Sequence, residues 1–166
     1  HLLFINLVTD SLPAIAIGME RSTKDILKEK PRNPSVGILT PATMKQLGIQ
    51  GILIAVVTMS AYFLGLKESW AIATTMAFST LCLSRLFHGF NCRSQRSLYR
   101  IGLFTNKYSI LAFVIGFCFL NAILLWQPLH SLFSVTTITM TQLFTIYGLA
   151  LIPTALIQLG RMLRHR

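Results

Sequence analysis

The first apolar stretch of the chain, residues 2–18, is interrupted by four residues that could take part in ion chemistry. They are Asn6, Thr9, Asp10 and Pro13. An ionised carboxylate near the centre of a bilayer costs about 2.5–3.5 kcal/mol on insertion scales, so Asp10 should face a bundle interior or a water-filled cavity. Asn6 and Asp10 are four residues apart, and this spacing places them on one face of an α-helix.

Pro13 is predicted to break this helix beside Asp10. Proline has no backbone N–H, and its ring clashes with the carbonyl four residues earlier, which belongs to Thr9. That carbonyl, the Asp10 carboxylate and the Asn6 amide are hard oxygen ligands of the type that calcium prefers. Irregular backbone at membrane depth is tolerated where it lines such a site. The alternative is that Pro13 only kinks the helix and Asp10 only pairs with a basic neighbour.

Two adjoining segments resemble a known family. The segment NLVTDSLPAIAIG at residues 6–18 and the segment KDILKEKPRNPSVGIL at residues 24–39 resemble the sixth transmembrane helix and the next cytoplasmic loop of P-type calcium-transporting ATPases. The resemblance implies that Asn6, Thr9 and Asp10 contribute ion ligands, with Asp10 the most important. Ser11 departs from the family pattern, because calcium pumps usually have glycine at this position.

Composition predicts an all-α, polytopic membrane bundle. Of the 166 residues, 53% are hydrophobic and 12% are charged, and runs near 20 apolar residues cross about 30 Å of hydrocarbon. We expect one transmembrane domain, residues 1–166, with five transmembrane helices, and the resemblance implies that it is the C-terminal transmembrane domain of a pump. The predicted spans are residues 2–18, 47–66, 70–90, 108–126 and 142–159, with cytoplasmic loops at 19–45 and 91–107. The resemblance implies that these are the sixth to tenth helices of a pump. Thr40 and Pro41 are predicted as the N-cap and first residue of the helix that contains the second span.

The net charge of +10 is placed as in a membrane protein rather than a nucleic-acid-binding protein. The first loop has six Lys and Arg residues, the second one, the third four, the fourth none and the tail three. This alternation follows the positive-inside rule, so the C-terminus is predicted to be cytoplasmic. We expect an integral, multi-pass protein of the plasma membrane, with the lipid bilayer as a partner and no nucleic acid.

Arg85 is the second informative residue, because it lies about 22 Å along the predicted third span at 1.5 Å per residue. One interpretation is that it snorkels toward the headgroups. The other is that it points into the ion-binding region and pairs with Asp10. The segment TMAFSTLCLSR at residues 75–85 resembles the family's eighth helix, and in that register Arg85 falls where two-calcium pumps carry a ligand glutamate. Arginine cannot ligate a cation. The resemblance therefore implies that Arg85 fills one of two sites, which predicts one calcium per cycle.

The chain itself is predicted to carry no catalytic and no cofactor-binding residue, because its sequence has neither a Gly-rich phosphate cradle nor the family's DKTGT motif. The resemblance implies that ATP and magnesium bind elsewhere in a longer parent enzyme that transports calcium. The partners would be the N-terminal helices and cytoplasmic domains of the same pump. The isolated fragment is expected to self-associate, since it exposes helix faces meant for those partners.

Two other classes of function are open at this point. One is a P-type pump for sodium and potassium, protons or manganese, since related pumps share the aspartate and the proline. The KPRNP loop favours the calcium group. The other class is a secondary transporter or a non-transporting membrane subunit that carries an intramembrane aspartate.

Overall fold

The computed structural model describes residues 1–20, 40–93, 102 and 105–164, and every regular element in these ranges is helical. The elements are α1 (Leu2–Phe4), a π-helical segment (Ile5–Ser11), α2 (Leu12–Gly18), α3 (Pro41–Leu66), α4 (Trp70–Cys92), α5 (Lys107–Leu125), α6 (Gln127–Phe133) and α7 (Met140–Arg164). We call α1, the π-helical segment and α2 together the composite helix, because they follow one another without a gap.

The all-α prediction is confirmed for the described residues. Among them α3, α4, α5 and α7 are long and apolar enough to cross a membrane, and Ile5–Gly18 of the composite helix is a shorter apolar helix. The two predicted loops, 19–45 and 91–107, lie largely outside the described residues. The KPRNP motif is one of the segments that fall there.

Polar side chains fix where the long helices begin. The hydroxyl of Thr40 accepts a hydrogen bond from the backbone N–H of Thr43 at 3.2 Å, and Pro41 is the first residue of α3. This is the cap that the Thr–Pro pair predicts, since an N-cap hydroxyl satisfies a backbone donor that has no partner in the helix. Ser69 caps α4 in the same way, accepting from Ile72 N–H at 3.1 Å.

Helix α4 is the centre of the bundle. It contacts the composite helix, α3, α5 and α7, and eleven of its 23 residues are buried. Many of the buried positions carry small side chains, which let neighbouring helices approach on several sides. Their hydroxyls are partly satisfied within the helix, as when Ser79 donates to the Thr75 carbonyl at 2.7 Å.

Helices α3 and α4 form a tight hairpin. A Cβ atom on Gly65 would lie 2.7 Å from the Cα and 2.9 Å from the backbone N of Ala73. Both neighbours are backbone atoms that cannot rotate away. The close approach of the two helices therefore depends on glycine at this position.

The composite helix runs parallel to α4 along three successive contacts. Asp10 meets Arg85, Pro13 lies against Gly89, and Glu20, just after α2, meets Arg93, just after α4. Both sets of residue numbers rise in the same order, which is what parallel helices require. A Cβ on Gly89 would be only 3.2 Å from Cβ of Pro13, so these two helices also pack closely.

We expect Gly65→Ala to destabilise the fold by about 1–3 kcal/mol, because overpacking a tight contact forces the helices apart. Gly48→Ala is the matched control on the same helix, since a Cβ there meets no described atom within 4 Å. The control should be neutral or gain up to about 1 kcal/mol from helix propensity. Thermal unfolding of the purified protein in detergent measures both. Equal effects of the two substitutions would contradict the close hairpin.

Candidate cation-binding site

The helix changes type beside Asp10 instead of breaking. The π-helical segment ends at Ser11 and α2 begins at Leu12, one residue before Pro13. Ser11 (φ −68°, ψ −42°) and Leu12 (φ −62°, ψ −50°) both have helical backbone angles. Beside the predicted break at Pro13 the α-helical hydrogen bonding is thus interrupted by a π-helical segment, while the backbone stays helical. Since Pro13 cannot donate to the Thr9 carbonyl, the chain shifts to the i→i+5 bonding of a π-helix, a conformation that is frequent at functional sites.

Side-chain hydroxyls bond to the backbone of this π-helical segment. Thr9 donates to the Ile5 carbonyl at 2.7 Å, and Ser11 donates to the Asn6 carbonyl at 2.7 Å. Thr9 is buried, with 2% of its surface exposed, so its hydroxyl is held inside the bundle. Ser11, which departs from the family pattern, thus has a structural partner.

A cavity of about 370 Å³ opens between the composite helix, α3 and α4. Its volume is enough for several waters or a partly hydrated cation. Apolar side chains form part of the wall. The polar and titratable side chains that line it are those of Thr9, Asp10, Gln50, Arg85, His88 and Cys92.

The structure brings some of the predicted site residues together and leaves one apart. Thr9, Asp10, Pro13 and Arg85 all line the cavity. Asn6 is exposed outside it, although the four-residue spacing places Asn6 and Asp10 on one face of an α-helix. The difference follows from the π-helical segment, because a turn closed over five residues offsets positions that are four apart.

Asp10 and Arg85 form an ion pair at the cavity. Arg85 Nη1 lies 3.2 Å from Asp10 Oδ2, and the two side chains are 40% and 38% exposed for Asp10 and Arg85 respectively. Arg85 therefore points toward Asp10. Asp10 is the one acidic residue among the described residues that line the cavity, so the pair leaves the local charge close to neutral.

Comparison with known proteins gives one family. The model of the family "Cation transporting ATPase, C-terminus" matches residues 1–163. The chain belongs to the P-type cation-transporting ATPases and is their C-terminal membrane region. The resemblance seen in the sequence is thereby confirmed.

Several relatives of this ATPase region are named calcium-transporting ATPases. One from Bacillus subtilis is 35% identical over 160 residues, covering 95% of this chain and 18% of that protein. One from Listeria monocytogenes is 42% identical over 118 residues, covering 70% of this chain and 13% of that protein. The human calcium-transporting ATPase type 2C member 1 is 27% identical over 155 residues, which cover 90% of this chain and 16% of that protein. The chain thus spans less than a fifth of the length of these relatives.

A second polar cluster lies where helix ends of the ATPase region meet, and we call Glu20, Arg93 and Asn106 the helix-end clamp. Arg93 donates to Glu20 through Nε at 2.9 Å and Nη2 at 2.8 Å. The Asn106 amide donates to Glu20 at 2.6 Å. Arg93 lowers the pKa of the Glu20 carboxyl below its ordinary value, because these hydrogen bonds favour the ionised form.

Sequence reasoning missed the helix-end clamp. It placed Arg93 among the basic loop residues and gave Glu20 no role. The available signal was weak: an acidic and a basic residue each follow directly on an apolar span, and Asn106 precedes the start of another. Only the packing of the composite helix against α4 shows that Glu20 and Arg93 meet.

Accessibility of the three cysteines tests whether the cavity is aqueous. Cys92 lines the cavity, Cys82 is fully buried, and Cys118 is exposed on the apolar surface of α5. A charged, membrane-impermeant thiol reagent enters water but not hydrocarbon. We expect it to label Cys92 and to leave Cys82 and Cys118 unmodified in single-cysteine variants of the membrane-embedded protein. Labelling of Cys118 as fast as Cys92 would contradict an aqueous cavity bounded by lipid-facing helices.

The Glu20 carboxylate predicts a specific loss of stability in acid. Its pKa is lowered in the fold from the ordinary value of 4.5, so its contribution is fully present above pH 4.5 and is lost as the pH falls through the lowered pKa. The difference in unfolding free energy between the wild type and Glu20→Gln should be constant near neutral pH and shrink below pH 4.5. Denaturant titrations in detergent across this range measure it. A difference that does not change with pH would contradict an ionised, paired Glu20.

Proposed function

We propose that this chain is the ion-binding membrane part of an ATP-driven calcium pump, with Asp10 as the carboxylate that holds the transported ion. The observation that carries the proposal is the pairing of Asp10 with Arg85 at a polar cavity, within the membrane region of a cation-transporting ATPase family. Intramembrane acids are costly, and they mark ion pathways when they face a cavity.

Asn6 and Thr9 are proposed to complete the part of the ligand set that this chain supplies. Thr9 lines the cavity beside Asp10. Asn6 is exposed on the composite helix, together with Leu3, Leu7 and Ile15, which are 78%, 64% and 63% exposed. Such a surface suits the missing helices of the same pump, so Asn6 would act at the boundary with them. Calcium takes six to eight oxygens, and the missing helices would supply the others.

The stoichiometry is proposed to be one calcium per cycle. The guanidinium of Arg85 already lies 3.2 Å from one Asp10 oxygen, and it cannot donate a lone pair to a metal. A second calcium beside this fixed positive charge would meet electrostatic repulsion. Arg85 therefore acts as a built-in cation that takes the place of a second ion.

Calcium is proposed over other cations because the relatives carry that name, and the hard oxygen set around Asp10 agrees with it. Sodium, potassium and manganese are outcomes of the test below, and protons are the remaining alternative. ATP and magnesium would bind in other parts of the parent enzyme. The C-terminus is proposed to be cytoplasmic and the membrane to be the plasma membrane, with the basic residue pattern in support of the orientation.

Replacing Asp10 with Asn should abolish cation-stimulated ATP hydrolysis by the intact parent in proteoliposomes at low micromolar calcium. We expect the half-maximal calcium concentration to rise by more than about tenfold, since even the outer partners of metal ligands contribute that much. Calcium, manganese, sodium and potassium are compared in the same assay. Glu68→Gln is the matched control, because it removes a carboxylate at the opposite end of α4, where Glu68 accepts from Gln142 at 2.8 Å.

The outcomes of this assay separate the alternatives. Stimulation by sodium or potassium would keep the role of Asp10 and overturn calcium. Unchanged calcium stimulation in Asp10→Asn would overturn Asp10 as the ligand. Absence of ATPase activity under every cation would overturn the ATP-driven pump as the function of the parent.

One calcium per cycle predicts that the intact pump moves one calcium ion for each ATP hydrolysed. Initial rates of calcium uptake and of phosphate release in sealed vesicles give this ratio. Two calcium ions per ATP would contradict the role given to Arg85.

A further inference from the structure

The helix-end clamp joins the same two helices as the Asp10–Arg85 pair. Glu20 lies ten residues beyond Asp10, and Arg93 lies eight residues beyond Arg85. At 1.5 Å per helical residue the clamp is about 12–15 Å from the ion pair. Between these two points Pro13 packs against Gly89. Three contacts in a row thus define how the composite helix is placed along α4.

The helix-end clamp fixes the relative orientation of its side chains in addition to pairing opposite charges. The guanidinium of Arg93 binds both carboxylate oxygens of Glu20, and its side chain is 0% exposed while that of Glu20 is 19% exposed. A two-bond pair of planar groups fixes orientation in a way that a single ammonium contact does not. Sliding the composite helix along α4 would break both bonds between the Glu20 carboxylate and the buried Arg93 guanidinium.

Asn106 ties a third helix to the same point. Its amide donates to the Glu20 carboxylate at 2.6 Å and to the Ala16 carbonyl at 2.9 Å. Its carbonyl oxygen accepts from the backbone N–H groups of Tyr108 and Ser109 and so caps α5. One side chain therefore satisfies the end of α2 and the start of α5 together, and any displacement of Glu20 also disturbs this cap.

We propose that Glu20, Arg93 and Asn106 are positioning residues that set the register of the Asp10 helix against the Arg85 helix and thereby set the affinity for the transported cation. The inference rests on the proposed function, because it assigns the clamp an effect on the site at Asp10. Its physical basis is that Asp10 and Arg85 meet through one contact of 3.2 Å, whereas the clamp joins the same helices by two hydrogen bonds from a fully buried Arg93 side chain. The buried clamp supplies the constraint that the ion pair lacks.

The test uses the intact pump with Glu20→Gln, Arg93→Lys and Asn106→Ser. In each variant we expect the calcium concentration for half-maximal ATPase activity to shift at least about fivefold, the lower end of typical coupling between sites. The KM for ATP should stay unchanged, because the clamp acts on cation binding. Arg93→Lys keeps the positive charge but loses the two-bond geometry, so its calcium affinity should still differ from that of the wild type.

Lys107→Gln is the matched control, since it removes an exposed charge beside Asn106 without touching the clamp. It should leave the calcium dependence unchanged. Thermal unfolding identifies any variant that fails to fold. Should Glu20→Gln be such a variant, Asn106→Ser decides, because serine keeps the helix cap and removes only the amide donor.

A parallel measurement on Asp10→Asn separates the two proposals. If Asp10→Asn loses calcium stimulation while folded clamp variants keep wild-type calcium affinity, the positioning role is overturned and the proposed function stands. If Asp10→Asn leaves calcium stimulation unchanged, the proposed function itself is overturned. Wild-type affinity in Arg93→Lys would also overturn a role that depends on two-bond geometry.

Discussion

A carboxylate inside a membrane must be solvated, paired or both, and this constraint shapes the described part of the molecule. Asp10 meets it in two ways, through the Arg85 guanidinium at 3.2 Å and through an open cavity of about 370 Å³. Either alone would be unfavourable, since a buried pair without water pays the desolvation of two ions and a lone carboxylate lacks compensation. The pair joins the composite helix to α4, so the proposed role of Asp10 depends on how these two helices are placed against each other.

The proline near Asp10 imposes the second constraint. A proline in the interior of an α-helix usually kinks or ends the helix. Here a π-helical segment precedes Pro13, and the backbone stays helical although Pro13 cannot donate a hydrogen bond. Pro13 packs against Gly89 of α4. The same segment separates Asn6 from the cavity while holding Thr9 and Asp10 in it. Local helix type therefore decides which of these residues line the cavity and which lie outside it.

The sequence predicts the features of the fold that depend on residues close together in the chain. The apolar runs predict the long helices. The Thr40–Pro41 pair predicts the start of α3, because an N-cap bond joins residues only three apart in the sequence. The contact of Arg85 with Asp10 is one of the two interpretations that the sequence allows, because the free-energy cost of an arginine that faces lipid depends only on the residue type. The position of Asn6 could not be foreseen, because it depends on a π-helix that the residue spacing does not encode. The Glu20–Arg93 contact joins residues 73 apart, and only tertiary packing creates it.

Equilibrium binding of radioactive calcium to the detergent-solubilised parent pump, without ATP, tests the central claim most directly. The number of ions bound is counted per phosphorylation site in the wild type and in Asp10→Asn. A single site at Asp10 with Arg85 as its fixed neighbour predicts one calcium ion per pump in the wild type and its loss in the variant. Two ions bound in the wild type, or one ion bound with unchanged affinity in Asp10→Asn, would contradict it.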